Sequence, residues 1–204
     1  MKLARGIQHL VALAEECDRL STAPEAIWAI RVTKLWAFGK VLAAPPELDW
    51  VSVALCVDQP PEAIPWLDLP VGAEHWSNAT RMAKNPIVGL WRSDRAPVWN
   101  HAIVRPVLLW DIQDGLREEA VAALRAGRAE QVREPAVTPD QLRARLIDEL
   151  AISLSNLRNQ SAEYEENRWG RGNLAKIADP LARAASGYLE LRDALDGLAS
   201  VAEA

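Results

Sequence analysis

Two cysteines, three histidines and a single phenylalanine are all that the 204 residues hold of those types. Two cysteines cannot make a disulfide framework, and three histidines with no Cys-x-x-Cys or His-Glu-x-x-His leave no zinc-binding pattern. Gly-x-Ser-x-Gly, a Walker loop and Gly-x-Gly-x-x-Gly are also missing, which removes the common signatures of α/β-hydrolases, P-loop enzymes and dinucleotide binders. No apolar run reaches the roughly 18 residues needed to cross a bilayer. The first residues, Met1 to His9, lack an apolar core followed by a small-residue cleavage pattern. The expectation is therefore a cytoplasmic protein with no membrane partner, in which Cys17 and Cys56 are small buried hydrophobes.

Half of the residues are hydrophobic and a quarter are charged, an ordinary globular balance. The formal net charge of −5 argues against a surface built to coat nucleic acid. The charge is uneven, however. Between Gly72 and Pro106, Arg81, Lys84, Arg92, Arg95 and Arg105 face only Glu74 and Asp94, a local excess that would suit a phosphate-bearing ligand. Tryptophan is abundant: nine residues, eight of them before residue 111. Each brings a large apolar body and one N–H in search of a partner, so most are expected in the core.

Periodicity predicts an amphipathic helix over 2–20, with Leu3, Ile7, Leu10, Val11, Ala14 and Cys17 on one stripe. Ser21-Thr22-Ala23-Pro24-Glu25 reads as a helix restart, followed by a short helix and a strand ending at Gly39. Pro45 and Pro46 break the chain. Trp50 to Val57 is apolar on nearly every position, as in a strand buried on both faces. A helix is expected over 73–84, strands over 87–91 and 103–110, a helix over 113–126, and a short edge strand at Val132. Thr138-Pro139-Asp140-Gln141 is a capping box that opens a long helix to about Trp169, with Leu142, Leu146, Leu150, Leu154 and Leu157 as its stripe. After Gly170 to Asn173 a last helix carries Leu174, Ile177, Leu181, Ala185, Tyr188, Leu191, Leu195 and Leu198, with Pro180 near its start. The expected fold is thus α/β (or α+β): a small mixed central sheet flanked by helices over 1–135, then an antiparallel helical hairpin over 136–204. The hairpin packs on the core or in a homodimer interface.

Two constellations could carry chemistry. The first is Leu35-Trp36-Ala37-Phe38-Gly39, a short turn, and then Asp49 at the head of the next strand. A glycine there lets the backbone approach a phosphate, and carboxylates at a sheet edge can hold Mg²⁺. In this arrangement residues 30–111 resemble the nucleotidyltransferase superfamily. The resemblance implies that Gly39 and Lys40 meet a phosphate, and that Asp49 and Asp111 bind Mg²⁺ for a nucleotide substrate. Lys40 replaces the serine of that pattern and Val51 the second carboxylate. The expected function is therefore a catalytically degenerate, nucleotidyltransferase-like binding or interaction module, with a nucleotide or a protein as partner. An active Mg²⁺-dependent transferase is the alternative. Segments such as His-Trp-Ser-Asn-Ala-Thr-Arg also resemble an uncharacterised actinobacterial family, which implies no activity.

The second constellation is Glu74 to Arg81 with Trp99, Asn100, His101 and Arg105. Trp76, Asn78, Arg81, Asn100 and Arg105 could bind a base or sugar by stacking and hydrogen bonding. His75 and His101 could serve as acid and base in an unrelated enzyme. The competing reading is a Trp-rich core rimmed by polar residues that satisfy loop backbone.

Overall fold

A computed structural model describes residues 1–22, 29–170 and 174–202. Of the helix restart expected from Ser21 to Glu25 and the short helix after it, Ala23 to Trp28 lie outside the described residues, as do Arg171 to Asn173 of the break expected at Gly170 to Asn173. The elements run α1 (Leu3–Ser21), β1 (Val32–Phe38), β2 (Val51–Val57), α2 (Ala73–Ala79), β3 (Ile87–Ser93), β4 (Val107–Asp111), β5 (Gly115–Leu116), α3 (Glu118–Arg125), α4 (Pro139–Asn167) and α5 (Ala175–Ala202). The chain divides into two compact units: Met1–Pro60 with Leu69–Ala136, and Pro61–Asp68 with Val137–Ala204.

The first unit is built on a five-stranded mixed sheet in the order β3-β2-β1-β4-β5. β1 runs antiparallel to both β2 and β4, and β2 runs parallel to β3. β2 is flanked on both sides and almost wholly buried, as a run apolar at every position but Ser52 requires.

Register sorts the side chains into two faces. Trp91, Leu55, Leu35 and Trp110 lie side by side across β3, β2, β1 and β4. All four are buried, and this face meets the helices. Trp110 Nε1 donates to Asp18 of α1 at 3.3 Å, and Trp91 takes Trp76 of α2 edge-on with ring centroids 5.5 Å apart. The next row is polar: Arg92, Cys56, Lys34 and Asp111. A register shift opposite Leu35 and Trp36 lets β4 present Trp110 to the first face and Leu108 beside Trp36 on the second, the re-aiming that a bulge provides.

Several elements are shorter than the periodicity predicts. α2 stops at Ala79 because Arg81 takes a left-handed backbone, φ 57°, and a 3-10 turn follows. β4 starts at Val107 because Arg105, φ 46°, and Pro106 precede it. α3 starts only at Glu118, because Asp111 to Arg117 form a β-hairpin. No strand forms at Val132, which closes a 3-10 turn over Ala129–Gln131 instead.

The second unit is the helical hairpin, in which α4 and α5 pack on each other, with Pro61–Asp68 added to it. The capping box forms in full: Thr138 Oγ1 accepts from Gln141 N, and Gln141 Oε1 accepts from Thr138 N. Gly187 of α5 lies so close to the Trp66 carbonyl that an added Cβ would stand 2.2 Å from its oxygen. Asp68 accepts from Asn156 at 3.0 Å and pairs with Arg183 at 3.5 Å.

Candidate functional site

The first constellation is only partly assembled. The backbone turns at Gly39, φ 72°, at the end of β1. Lys40 then reaches Asp49 at 3.8 Å and lies 5.6 Å from the ring centre of Trp50. Gly39, Lys40 and Asp49 are thus neighbours, but all are exposed on the surface.

Asp111 is elsewhere. It pairs with Lys34 at the start of β1, whereas the Asp49 end of the sheet is marked by Phe38 opposite Ser52. Four residues of strand, about 13 Å, separate those two positions, so one metal ion cannot take both carboxylates. Asp111 is also fully engaged. One oxygen accepts from the N–H groups of Gln113 and Asp114, both at 2.9 Å, and the other accepts from Arg117. Burial opposes its ionisation, but these hydrogen bonds outweigh that and hold the carboxyl below its ordinary range. It is a hairpin clasp. The expectation of a shared Mg²⁺ site does not fit these residues. Among the described residues no group of three or more His, Cys, Asp or Glu is placed to hold a metal ion.

The second constellation is divided by the sheet. Trp76 is buried against Trp91 on the helix-covered face, with His75 and Asn78 on the exposed side of α2. Arg81 forms the left-handed turn after it. Asn100 is in the loop between β3 and β4, buried, with its side-chain oxygen accepting from Ala102 N and Ile103 N. His101 comes next, half-buried. Arg105 donates to the Glu134 carbonyl at 3.1 Å and pairs with Glu130 at 2.8 Å. Arg133 returns the contact to the carbonyls of Arg105 and Val104. These residues satisfy loop backbone and fix the loop in place. Hydrogen bonds from Arg133, and then from Arg105, keep the Glu130 carboxyl below its ordinary range despite some desolvation.

That loop walls a site the sequence did not announce. On the polar face of β1 and β2 a cavity of about 210 Å³ is lined by Lys34, Trp36, Cys56, Asp94, Trp99 and Glu134, with Ala96, Pro97 and Val98 beside them. Arg92 rises from the same row, is 3 % exposed, and donates to the carbonyls of Val98 and Pro97, so it anchors the wall. Lys34 and Asp94 form an ion pair at 2.5 Å, and the hydrogen bond to Asp94 raises the lysine pKa. Burial, reinforced by the Asp94 charge, pushes the Cys56 thiol up to about 12, so it is no nucleophile at neutral pH. The one clue in the sequence was Lys34 interrupting an apolar strand two residues before Trp36. A second cavity, about 280 Å³, lies on the other face beside Cys17, Ile30, Val32 and Trp76.

The molecule defined by these features is a mixed α/β protein with a C-terminal helical hairpin. No helix among the described residues is long and apolar enough to cross a membrane. The chain belongs to the family described as "Domain of unknown function (DUF7711)", whose model matches residues 1–197. No curated protein and no solved structure matches it.

Proposed function

We propose that this protein works by binding, on a nucleotidyltransferase-like strand–Gly–turn–strand unit that has no metal-dependent transfer. The observation that carries the reading is the placement of Asp49 and Asp111 at opposite ends of β1, with Asp111 already held by Arg117 and two backbone N–H groups. The division of His75 from the Trp99–His101 loop speaks against acid–base catalysis by the two histidines. Buried free cysteines suit a reducing cytoplasm.

The test is thermal unfolding with and without Mg²⁺ and each nucleoside triphosphate, on wild type and Asp49→Asn. A ligand at about a hundred times its Kd adds about 2.7 kcal/mol of stability. The expected outcome is no Mg²⁺-dependent shift in either protein. A shift present in wild type and lost in Asp49→Asn overturns the reading and restores the transferase.

Self-association through the helical hairpin is part of the same proposal. Ile147 of α4 and Leu189 of α5 are half or more exposed. Leu189→Glu should lower the mass seen in analytical ultracentrifugation with little change in melting temperature; an unchanged mass rejects this interface. Leu191 is not the residue to change, because it is fully buried.

A further inference from the structure

We propose that the cavity on the Lys34–Trp36 face binds a small zwitterion with an apolar or aromatic body, the chemistry of a free amino acid. The proposal rests on the reading of the protein as a binding module. Three observations converge on it.

The first is the pairing of opposite charges inside one cavity. The Lys34 ammonium and the Asp94 carboxylate face each other at 2.5 Å, and Glu134 is a further acidic residue of the lining. Opening such a pair for a neutral or singly charged ligand leaves a half-buried charge without its partner, which is costly. A zwitterion replaces each half charge for charge: its carboxylate accepts from Lys34, and its ammonium donates to Asp94 and Glu134. The second is the wall. Trp36 and Trp99, with Pro97 and Val98, offer flat apolar surface to the rest of the ligand. The third is size and sign. A cavity of about 210 Å³ is below the usual range of about 300–1,000 Å³ for drug-sized ligands. Among the described lining residues Lys34 is the sole cation, so a polyphosphate is poorly matched.

The frame is also stiff where recognition needs it. Lys34, Trp36 and Cys56 stand on neighbouring strands, and Arg92 pins the opposite wall through Val98 and Pro97. Glu134 is held at both ends of its backbone: its N–H donates to the Pro106 carbonyl and its carbonyl accepts from Arg105.

The experiment is a calorimetric titration of the full chain with L-leucine, L-phenylalanine and L-tryptophan. Phenethylamine and 3-phenylpropionate serve as the halves of the phenylalanine probe. At least one amino acid should bind saturably, with each half-ligand weaker by about tenfold or more, the loss of one charged hydrogen bond. Trp99→Ala and Glu134→Gln should each weaken binding, and the indole N–H signals of Trp36 and Trp99 should shift on titration. Equal binding of the amine alone overturns the proposal in favour of a cation site, and equal binding of the acid alone overturns it in favour of an anion site. No binding of any amino acid overturns it outright. None of these failures touches the Mg²⁺–nucleotide test, which decides by itself whether metal-dependent transfer is absent.

Discussion

Asp111 takes its task from the residues that follow it in the chain. Its place at the end of an apolar strand suggested a metal ligand, but the next six residues give it a different role. Asp114 and Gly115 turn the chain back, so that Arg117 reaches the carboxylate. Replacing it by Asn removes a charged partner of Arg117 while keeping the turn-forming oxygen. Asp111→Asn should cost about 2 kcal/mol at neutral pH, the range for hydrogen bonds to a charged group. The sign with pH is fixed. A carboxyl held below its ordinary value of 3.8 in the folded state stabilises fully above that value, and the contribution is lost as pH falls through the folded pKa. Urea unfolding at neutral and at acid pH should therefore show the gap between wild type and Asp111→Asn closing in acid. A gap independent of pH would contradict the clasp. Lys34, by contrast, was hardly legible. Only its pairing with Asp94, sixty positions away in sequence, gives it a site, and no local spacing reports such a contact.

At the scale of elements, the signals written in local backbone chemistry were readable. The Thr138 capping box and the start of α4 coincide, so Thr138→Ala should cost about 1 kcal/mol, seen as a lower urea midpoint with an unchanged slope. Lengths were less legible, because α2 is cut by the left-handed Arg81, β4 by Arg105 with Pro106, and α3 by a hairpin that the periodicity does not report. The buried seam of α4 also differs from the leucine stripe. It runs Leu146, Glu149, Ser153, a 3-4 spacing, and Arg145 pairs with Glu149 at 2.8 Å. The leucines four apart drift around the helix, which turns every 3.6 residues, so Leu150, Leu154 and Leu157 are only half-buried. On α5 the seam is Ala184, Gly187 and Leu191. There Gly187 is required by the Trp66 carbonyl. Its Cβ has no room, and the obstacle is backbone rather than a flexible side chain. Gly187→Ala should cost about 3 kcal/mol, at the upper end for overpacking, while Gly197→Ala, with nothing near its Cβ, should be neutral or slightly stabilising. Equal effects at the two sites would refute the close approach.

The organisation of the whole chain is where the sequence was most reticent. A boundary near residue 136 is marked by the capping box, but nothing in Pro61 to Asp68 says that it belongs with helices that begin only at Pro139. The link is made by single contacts: Trp66 against Gly187, and Asp68 with Asn156 and Arg183. The second unit is therefore discontinuous, and a chain cut at residue 136 keeps this segment without the helices that partner it. Trp66 is 3 % exposed in the intact chain, with its carbonyl against Gly187; in such a fragment it loses that helix and presents apolar surface to water. The 1–136 fragment should therefore bind a hydrophobic dye and aggregate. The same fragment with residues 61–68 replaced by a Gly/Ser segment of equal length should stay soluble and keep the sheet, because β1 to β5 and α1 to α3 all lie within the first unit. Circular dichroism and light scattering on the two fragments decide it. If both behave alike, residues 61–68 are a passive loop of the first unit, and the hairpin is an independent appendage rather than a unit threaded through the chain.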